Sequence, residues 1–137
     1  MTKTAFITGA GGYIGTQTAL TLAKEGLNIA VCDINGAAVN AAVKKIVSSG
    51  GNAKGYISDV TDPISIESAI KKAADDFGSL DILVHVAGGS ARIAGGRYVP
   101  LTEQDDEVID KVIKINLYGA IWASRAAARI MIKQGTG

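Results

Sequence analysis

Four short strand-like runs, at residues 3–8, 28–33, 53–58 and 80–86, alternate with longer stretches whose apolar positions recur at helical spacing. Strands separated by whole helices pair in parallel, because each crossover returns the chain to the same end of the sheet. The helices then cover both faces, so this order predicts an α/β, doubly wound parallel sheet. One helical stretch spans 13–25, with Ile14, Leu20 and Leu22, and the next spans 36–48, with Val39, Val43, Ile46 and Val47. Asp62-Pro63 suits an N-cap and first helical position. It opens a helix whose Ile66, Ala69, Ile70, Ala73 and Phe77 share a face. After an irregular stretch over 88–100, Thr102 caps a predicted helix to about Ile115, with Glu103, Asp105 and Asp106 near its positive end. A last helix, about 117–133, carries Ile121, Ala127 and Ile130. No repeat or linker divides residues 1–137, which read as one domain.

The first strand-to-helix turn reads Thr8-Gly9-Ala10-Gly11-Gly12-Tyr13-Ile14-Gly15. Gly makes up 17 of the 137 residues, above its usual share of about 7%. A diphosphate at such a turn rests on free backbone N–H groups at the positive end of a helix. Gly9 permits the tight exit from the strand, Gly11 or Gly12 the close approach of backbone to ligand, and Gly15 close packing of helix on strand. Asp33 follows at the end of the second strand, 18 residues after Gly15, with Ile34 beside it. An acid at this offset accepts both hydroxyls of an adenosine ribose and repels a 2′-phosphate. No Lys or Arg lies between Lys24 and Lys44 to offset that repulsion, so NAD is expected in preference to NADP. The bland reading is a glycine-rich loop, with Asp33 merely opening a turn at Asn35-Gly36. The joint placement of turn and acid favours the nucleotide site.

Composition removes other classes. Lys and Arg number 14 against 13 Asp and Glu, a net charge of +1, whereas nucleic-acid binding needs a concentrated basic excess. One Cys and one His make no zinc cluster. No apolar run approaches the roughly 20 residues of a membrane span, and no secretory leader is visible. The single Cys32 forms no internal disulfide, which fits a reducing, cytoplasmic setting. His85, in a strand beside apolar residues, reads first as a core histidine and second as an acid–base group. Cys32 reads as strand filler. Arg92 and Arg97 read as solvated charges or, alternatively, as contacts for a substrate anion. Tyr118 and Trp122, four apart, read as a packing pair.

Taken in order, these segments resemble the short-chain dehydrogenase/reductase family across essentially the whole chain. Thr8 to Gly15 resembles its cofactor turn. Asp59-Val60-Thr61-Asp62 resembles the segment after the third strand that contacts adenine. Asp81-Ile82-Leu83-Val84 with Ala87-Gly88 resembles the fourth strand and its ending, and Asn116-Leu117-Tyr118-Gly119 the kink whose Asn supports a proton relay. The resemblance implies a Rossmann-type sheet of strand order 3-2-1-4, with Asn116 as a catalytic residue. It implies cofactor contacts from Gly9, Gly11, Gly12, Tyr13, Ile14, Gly15, Asp33, Ile34, Asp59, Val60, Val86, Ala87 and Gly88. Two positions depart from the classical pattern. Tyr13 stands where classical members have Gly, so that Gly9, Gly12 and Gly15 follow the extended spacing. His85-Val86-Ala87-Gly88 stands in place of Asn-Asn-Ala-Gly, so contacts at Val86 fall to its backbone. The chain is closest to the classical type.

Family chemistry moves a hydride between nicotinamide and an alcohol or carbonyl carbon of a small substrate. A Tyr passes the proton, its pKa lowered by a Lys four residues later, and a Ser positions the substrate oxygen. Tyr13, Tyr56, Tyr98 and Tyr118 are followed at that spacing by Gln17, Val60, Thr102 and Trp122, so no such pair occurs in these residues. The alternation calls for a further strand where the sequence stops, so the 137 residues are expected to form the NAD-binding part of this fold, truncated before strand 5 and inactive alone. A fourth strand left at the edge, with helices near 102–133 that resemble the family's dimer contact, implies a homo-oligomer. Two other readings stay open. One is a non-catalytic NAD-binding module. The other is a methyltransferase-like domain, which also places a glycine turn and a strand-2 acid around adenosine.

Overall fold

A computed structural model of the chain describes residues 2–137. It contains strands β1 (Thr4–Thr8), β2 (Asn28–Asp33), β3 (Asn52–Ile57) and β4 (Ile82–His85). The helices are α1 (Tyr13–Lys24), α2 (Gly36–Ser48), α3 (Pro63–Phe77), α4 (Asp106–Ile113) and α5 (Gly119–Gln134). The four strands form one parallel sheet in the order β3-β2-β1-β4, the order expected from the sequence. β1 is buried along its whole length, because it has a strand on each side and helices on both faces.

Side chains alternate across the sheet as period-2 geometry demands. Phe6, Ala30, Cys32 and Tyr56 point to one face, which α3 and α5 cover through Ile66, Ile70, Ala73, Ala123 and Ala127. Ala5, Ile7, Ile29 and Val31 point to the other, which α1 and α2 cover through Ala19, Val39, Ala42 and Ile46. Asp62 caps α3 as its position predicts, its Oδ1 accepting from the Ile64 and Ser65 amides at 2.9 and 3.3 Å. The Asn35 side chain caps α2, accepting from the Ala38 amide at 3.1 Å.

Three expectations about the helices are corrected. Thr102 caps nothing: Leu101–Glu103 is a single 3₁₀ turn, and α4 begins at Asp106. The expected break between the last two helices is absent. Lys114–Tyr118 is a π-helical turn that joins α4 to α5 with helical backbone throughout, so Asn116 sits in a widened turn. Such turns recur at functional positions. In α1 the buried residues are Gly15 and Ala19, while Ile14 is exposed, and in α2 Val47 is exposed.

β4 spans four residues, where the apolar run suggested seven; the Asp81 and Val86 amides still reach the Thr4 and Thr8 carbonyls of β1, at 2.9 and 3.3 Å, and side chains hold the segments on either side. Gln134 takes the Leu80 amide on Oε1 at 2.9 Å and donates from Nε2 to the Leu80 carbonyl at 2.8 Å. Asn116 does the same for Gly89, at 3.1 and 2.7 Å. No described helix is long and apolar enough to cross a membrane. Ile70 is fully buried between α3 and the sheet, so Ile70→Val should lower the unfolding free energy by about 1 kcal/mol in urea titrations.

Candidate functional site

All four strands end on the same edge of the sheet, and a cleft of about 740 Å³ opens there. In parallel α/β sheets ligands bind beyond the carboxyl ends of the strands. The floor of this cleft is the glycine turn. Gly9 has φ +64°, and a Cβ placed on it would lie 2.7 Å from the Ala87 amide nitrogen. Only glycine adopts this conformation at little cost, and only glycine lets the first turn touch the end of β4. A Cβ on Gly15 would overlap the backbone of Gly9 and Ala10, so α1 can approach the turn that closely only without one.

α1 starts at this floor without a side-chain cap and without an acidic residue in its first turn. α2 and α3, by contrast, are closed by Asn35 and Asp62. The positive end of α1 is therefore left open toward the cleft. Gly12, Tyr13, Ile14 and Gly15 line the cleft, whereas Gly11 is turned away from it. The Gly11 amide donates to Asp33 Oδ2 at 3.0 Å, and a Cβ there would meet Ala38 and Asp33. Gly11 thus fixes the acid, and of the two glycines it is Gly12 that lines the cleft.

Asp33 lines the cleft at the end of β2. Its Oδ1 accepts from the Asn35 amide at 3.0 Å while Oδ2 takes Gly11, so the same carboxylate opens the turn at Asn35 and faces the cleft. Each oxygen keeps lone-pair capacity for a ligand hydroxyl. Beyond β3, Asp59 Oδ1 accepts from the Thr61 amide and hydroxyl at 2.8 and 2.7 Å, holding the Asp59–Thr61 turn against the cleft. Val60 is nearly buried beneath it. Tyr13, Ile14 and Ile34 are 82%, 68% and 65% exposed, which leaves an uncovered apolar rim around the acid.

Val86, Ala87 and Gly88 form the wall beyond β4, held from beneath by the buried Thr8 hydroxyl. Thr8 Oγ1 accepts from the Val86 and Ala87 amides, both at 3.2 Å, and lies 2.9 Å from His85 Nδ1. Assigning the hydroxyl proton to Nδ1 suits the two donors at that oxygen, and it places the neutral ring's hydrogen on Nε2. His85 Nε2 is buried without a partner among the described residues. Burial holds the His85 pKa below its usual value, against a smaller opposing contribution from the Ala87 backbone.

Asn116 does not line the cleft. Its amide is taken up by Gly89 and by the Val112 carbonyl, the latter at 2.8 Å, so it fixes the segment next to Gly88. Cys32 lies under the floor with its thiol pushed up to about 12, by burial first and by Asp33 second, which keeps it protonated and inert at neutral pH. Arg92 and Arg97 are absent from the lining, where Ile93 and Ala94 of the same segment appear instead. Tyr118 and Trp122 pack together, ring centroids 5.6 Å apart. The sequence reading missed Thr8 as a clasp and missed Lys111, Lys114 and Ile115 as the α4 side of the cleft. The spacing of those three residues on one helix face was the available signal. Lys114 is paired with Asp110 at 2.8 Å, which raises its pKa.

These features define a Rossmann-like α/β domain with a glycine-turn cleft at the strand ends. The short chain dehydrogenase family matches residues 3–137, and the chain belongs to that family. It is 37% identical over 134 residues to an (S)-acetoin-forming diacetyl reductase of Staphylococcus epidermidis, covering 98% of this chain and 50% of the relative. The crystal structure of NAD+-bound xylitol dehydrogenase superposes with a TM-score of 0.91 at 35% identity, over 98% of this chain and 50% of that one. An actinorhodin polyketide ketoreductase with NADPH gives 0.91 at 28% identity, over 99% and 51%. The chain therefore spans about half the length of these relatives.

Two outcomes are expected. Gly15→Ala should cost about 1–3 kcal/mol in urea unfolding, and Gly12→Ala, whose Cβ would meet only Gly9 O at 3.4 Å, less than about 1 kcal/mol. His85 is neutral when folded and protonates more readily when unfolded, so folding stability should fall as pH drops below about 6.5. His85→Asn should lessen that fall in urea titrations between about pH 7 and 5.5.

Proposed function

We propose that the cleft binds NAD(H), and that residues 1–137 form the cofactor-binding part of an oxidoreductase interconverting small alcohols and carbonyl compounds. The observation that carries this reading is one juxtaposition: the uncapped positive end of α1 beside the fixed Asp33 carboxylate. An open helix end suits a diphosphate, and a carboxylate suits ribose hydroxyls while opposing a 2′-phosphate. The exposed Tyr13, Ile14 and Ile34, with Val60, supply apolar surface for a nucleoside. Asp59 stands beside them as a hydrogen-bond acceptor. Val86 has no side-chain polar group, so the wall beyond β4 offers only its backbone.

A nicotinamide dinucleotide would supply the hydride exchange. The chain's own residues bind and orient it: Gly12 to Gly15 at the diphosphate, Asp33 at the ribose, and Ala87 and Gly88 along the wall. Asn116 supports that wall through Gly89, and we assign it the family's part in proton relay as well. No residue in this sequence fills the Tyr-x-x-x-Lys pair, so proton transfer to substrate needs groups these residues do not provide. We further propose association of copies through the helices at 102–133, where Ile113, Leu117 and Ile121 are exposed.

Titration with NADH and NADPH, followed by cofactor fluorescence, tests the reading. NADH should bind more tightly, and Asp33→Ala should reduce the NADH/NADPH preference by about tenfold, the effect of losing charged hydrogen bonds. Equal affinities in the unsubstituted chain, or an unchanged ratio in the variant, would remove Asp33 from the ribose site.

A further inference from the structure

We propose that His85 is a positioning residue for the cleft: by accepting the Thr8 hydroxyl proton it leaves Thr8 Oγ1 free to hold the Val86 and Ala87 amides, and its protonation loosens that wall and weakens nucleotide binding. The proposal rests on the cofactor reading above for its binding half. It follows from counting protons at one oxygen. Thr8 Oγ1 receives the Ala87 N–H at 3.2 Å, shares the Val86 N–H, also at 3.2 Å, with the Thr8 carbonyl at 3.3 Å, and has His85 Nδ1 at 2.9 Å. A hydroxyl oxygen has two lone pairs, and both are taken. The contact to Nδ1 is therefore satisfied only while Nδ1 is an acceptor. An imidazolium carries hydrogen on both nitrogens, so it places a third donor against the same oxygen and turns the Thr8 proton away from its acceptor. The amides of Val86 and Ala87 must then compete with His85 for Thr8.

The wall has little freedom to absorb that change, since Gly9 touches Ala87 with no room for a Cβ. Close by, the charged ring finds only the Ala87 backbone as compensation, and burial outweighs it. Of the elements packed against β4, β1 carries no titratable side chain, and α5 turns Ala123, Ala126 and Ala127 inward while Arg125, Arg129 and Lys133 are exposed. On the segment leading into β4, Asp81 already accepts from the Thr4 amide and the Ser79 hydroxyl. His85 is the only histidine in the sequence, and no other side chain of ordinary pKa changes charge between about pH 5.5 and 7.5.

Calorimetric titration with NAD+ at about pH 7.5 and 5.5, with amide NMR of the ligand-free chain, tests the proposal. Affinity should fall about fivefold on acidification, the size of one net hydrogen bond. His85→Asn, whose amide oxygen accepts the Thr8 proton without titrating, should flatten the profile, and His85→Leu should weaken binding at both pH values. The Val86 and Ala87 amide signals should move with the His85 titration. A pH-independent affinity in the unsubstituted chain, an equal fall in the Asn variant, or unmoved Val86 and Ala87 signals would each overturn the proposal. Absence of NAD+ binding at about pH 7.5 would instead overturn the cofactor reading and the binding half with it, leaving the amide titration to decide the Thr8 clasp alone.

Discussion

Between Gly9 and Ala87 there is no room for a carbon atom, and most of the cleft follows from that contact. It brings the turn after β1 against the end of β4, two segments far apart in sequence. It needs a left-handed backbone at Gly9, which turns the chain toward α1, and it puts the open end of that helix at the sheet edge. Thr8, one residue earlier, reaches under the same contact and takes the Val86 and Ala87 amides. Floor and wall are in this way one unit. A side chain at residue 9 would separate them before it touched any ligand.

The sheet was legible because each strand announces itself locally. Short apolar runs, a helix between each pair, and Asp62-Pro63 at a helix start are signals within a few residues of the structure they specify. The order β3-β2-β1-β4 then follows from parallel pairing and from the family resemblance. The part of the cleft formed by the glycine turn and Asp33 was legible for a similar reason: the turn needs glycines and the offset to the acid is short. What the sequence did not display was set by partners far along the chain. Gly11 faces Asp33 and not the cleft because of the way α2 lies beside it, through Ala38. Thr102 has a good capping side chain, yet the helix begins four residues later at Asp106. The π turn at Lys114–Tyr118 falls where the Asn116-Leu117-Tyr118-Gly119 resemblance marks a kink, but its helical continuity has no local signal, and it seats Asn116 so that its amide meets Gly89, 27 residues away.

The cleft has two unlike sides. Around β1 and β2 stand the open helix end, the Asp33 carboxylate and an exposed apolar rim, features that suit a nucleotide. Along α4 stand Lys111 and Lys114, with Ile93 and Ala94 of the preceding irregular segment. The first side belongs to elements with short, well-specified connections. The second belongs to the segment whose elements departed most from sequence expectation.

The amide of Gln134 holding both polar groups of Leu80, across 54 residues, has a consequence for the order in which the protein acquires its shape. β1, α1, β2, α2 and β3 can assemble as their residues leave the ribosome, each strand meeting a neighbour already made. β4 meets β1 on one side only, and its entry is closed by the last turn of α5. Its register is set by β1, but the hydrogen bonds that close its entry at Leu80 form only once residue 134 has been made.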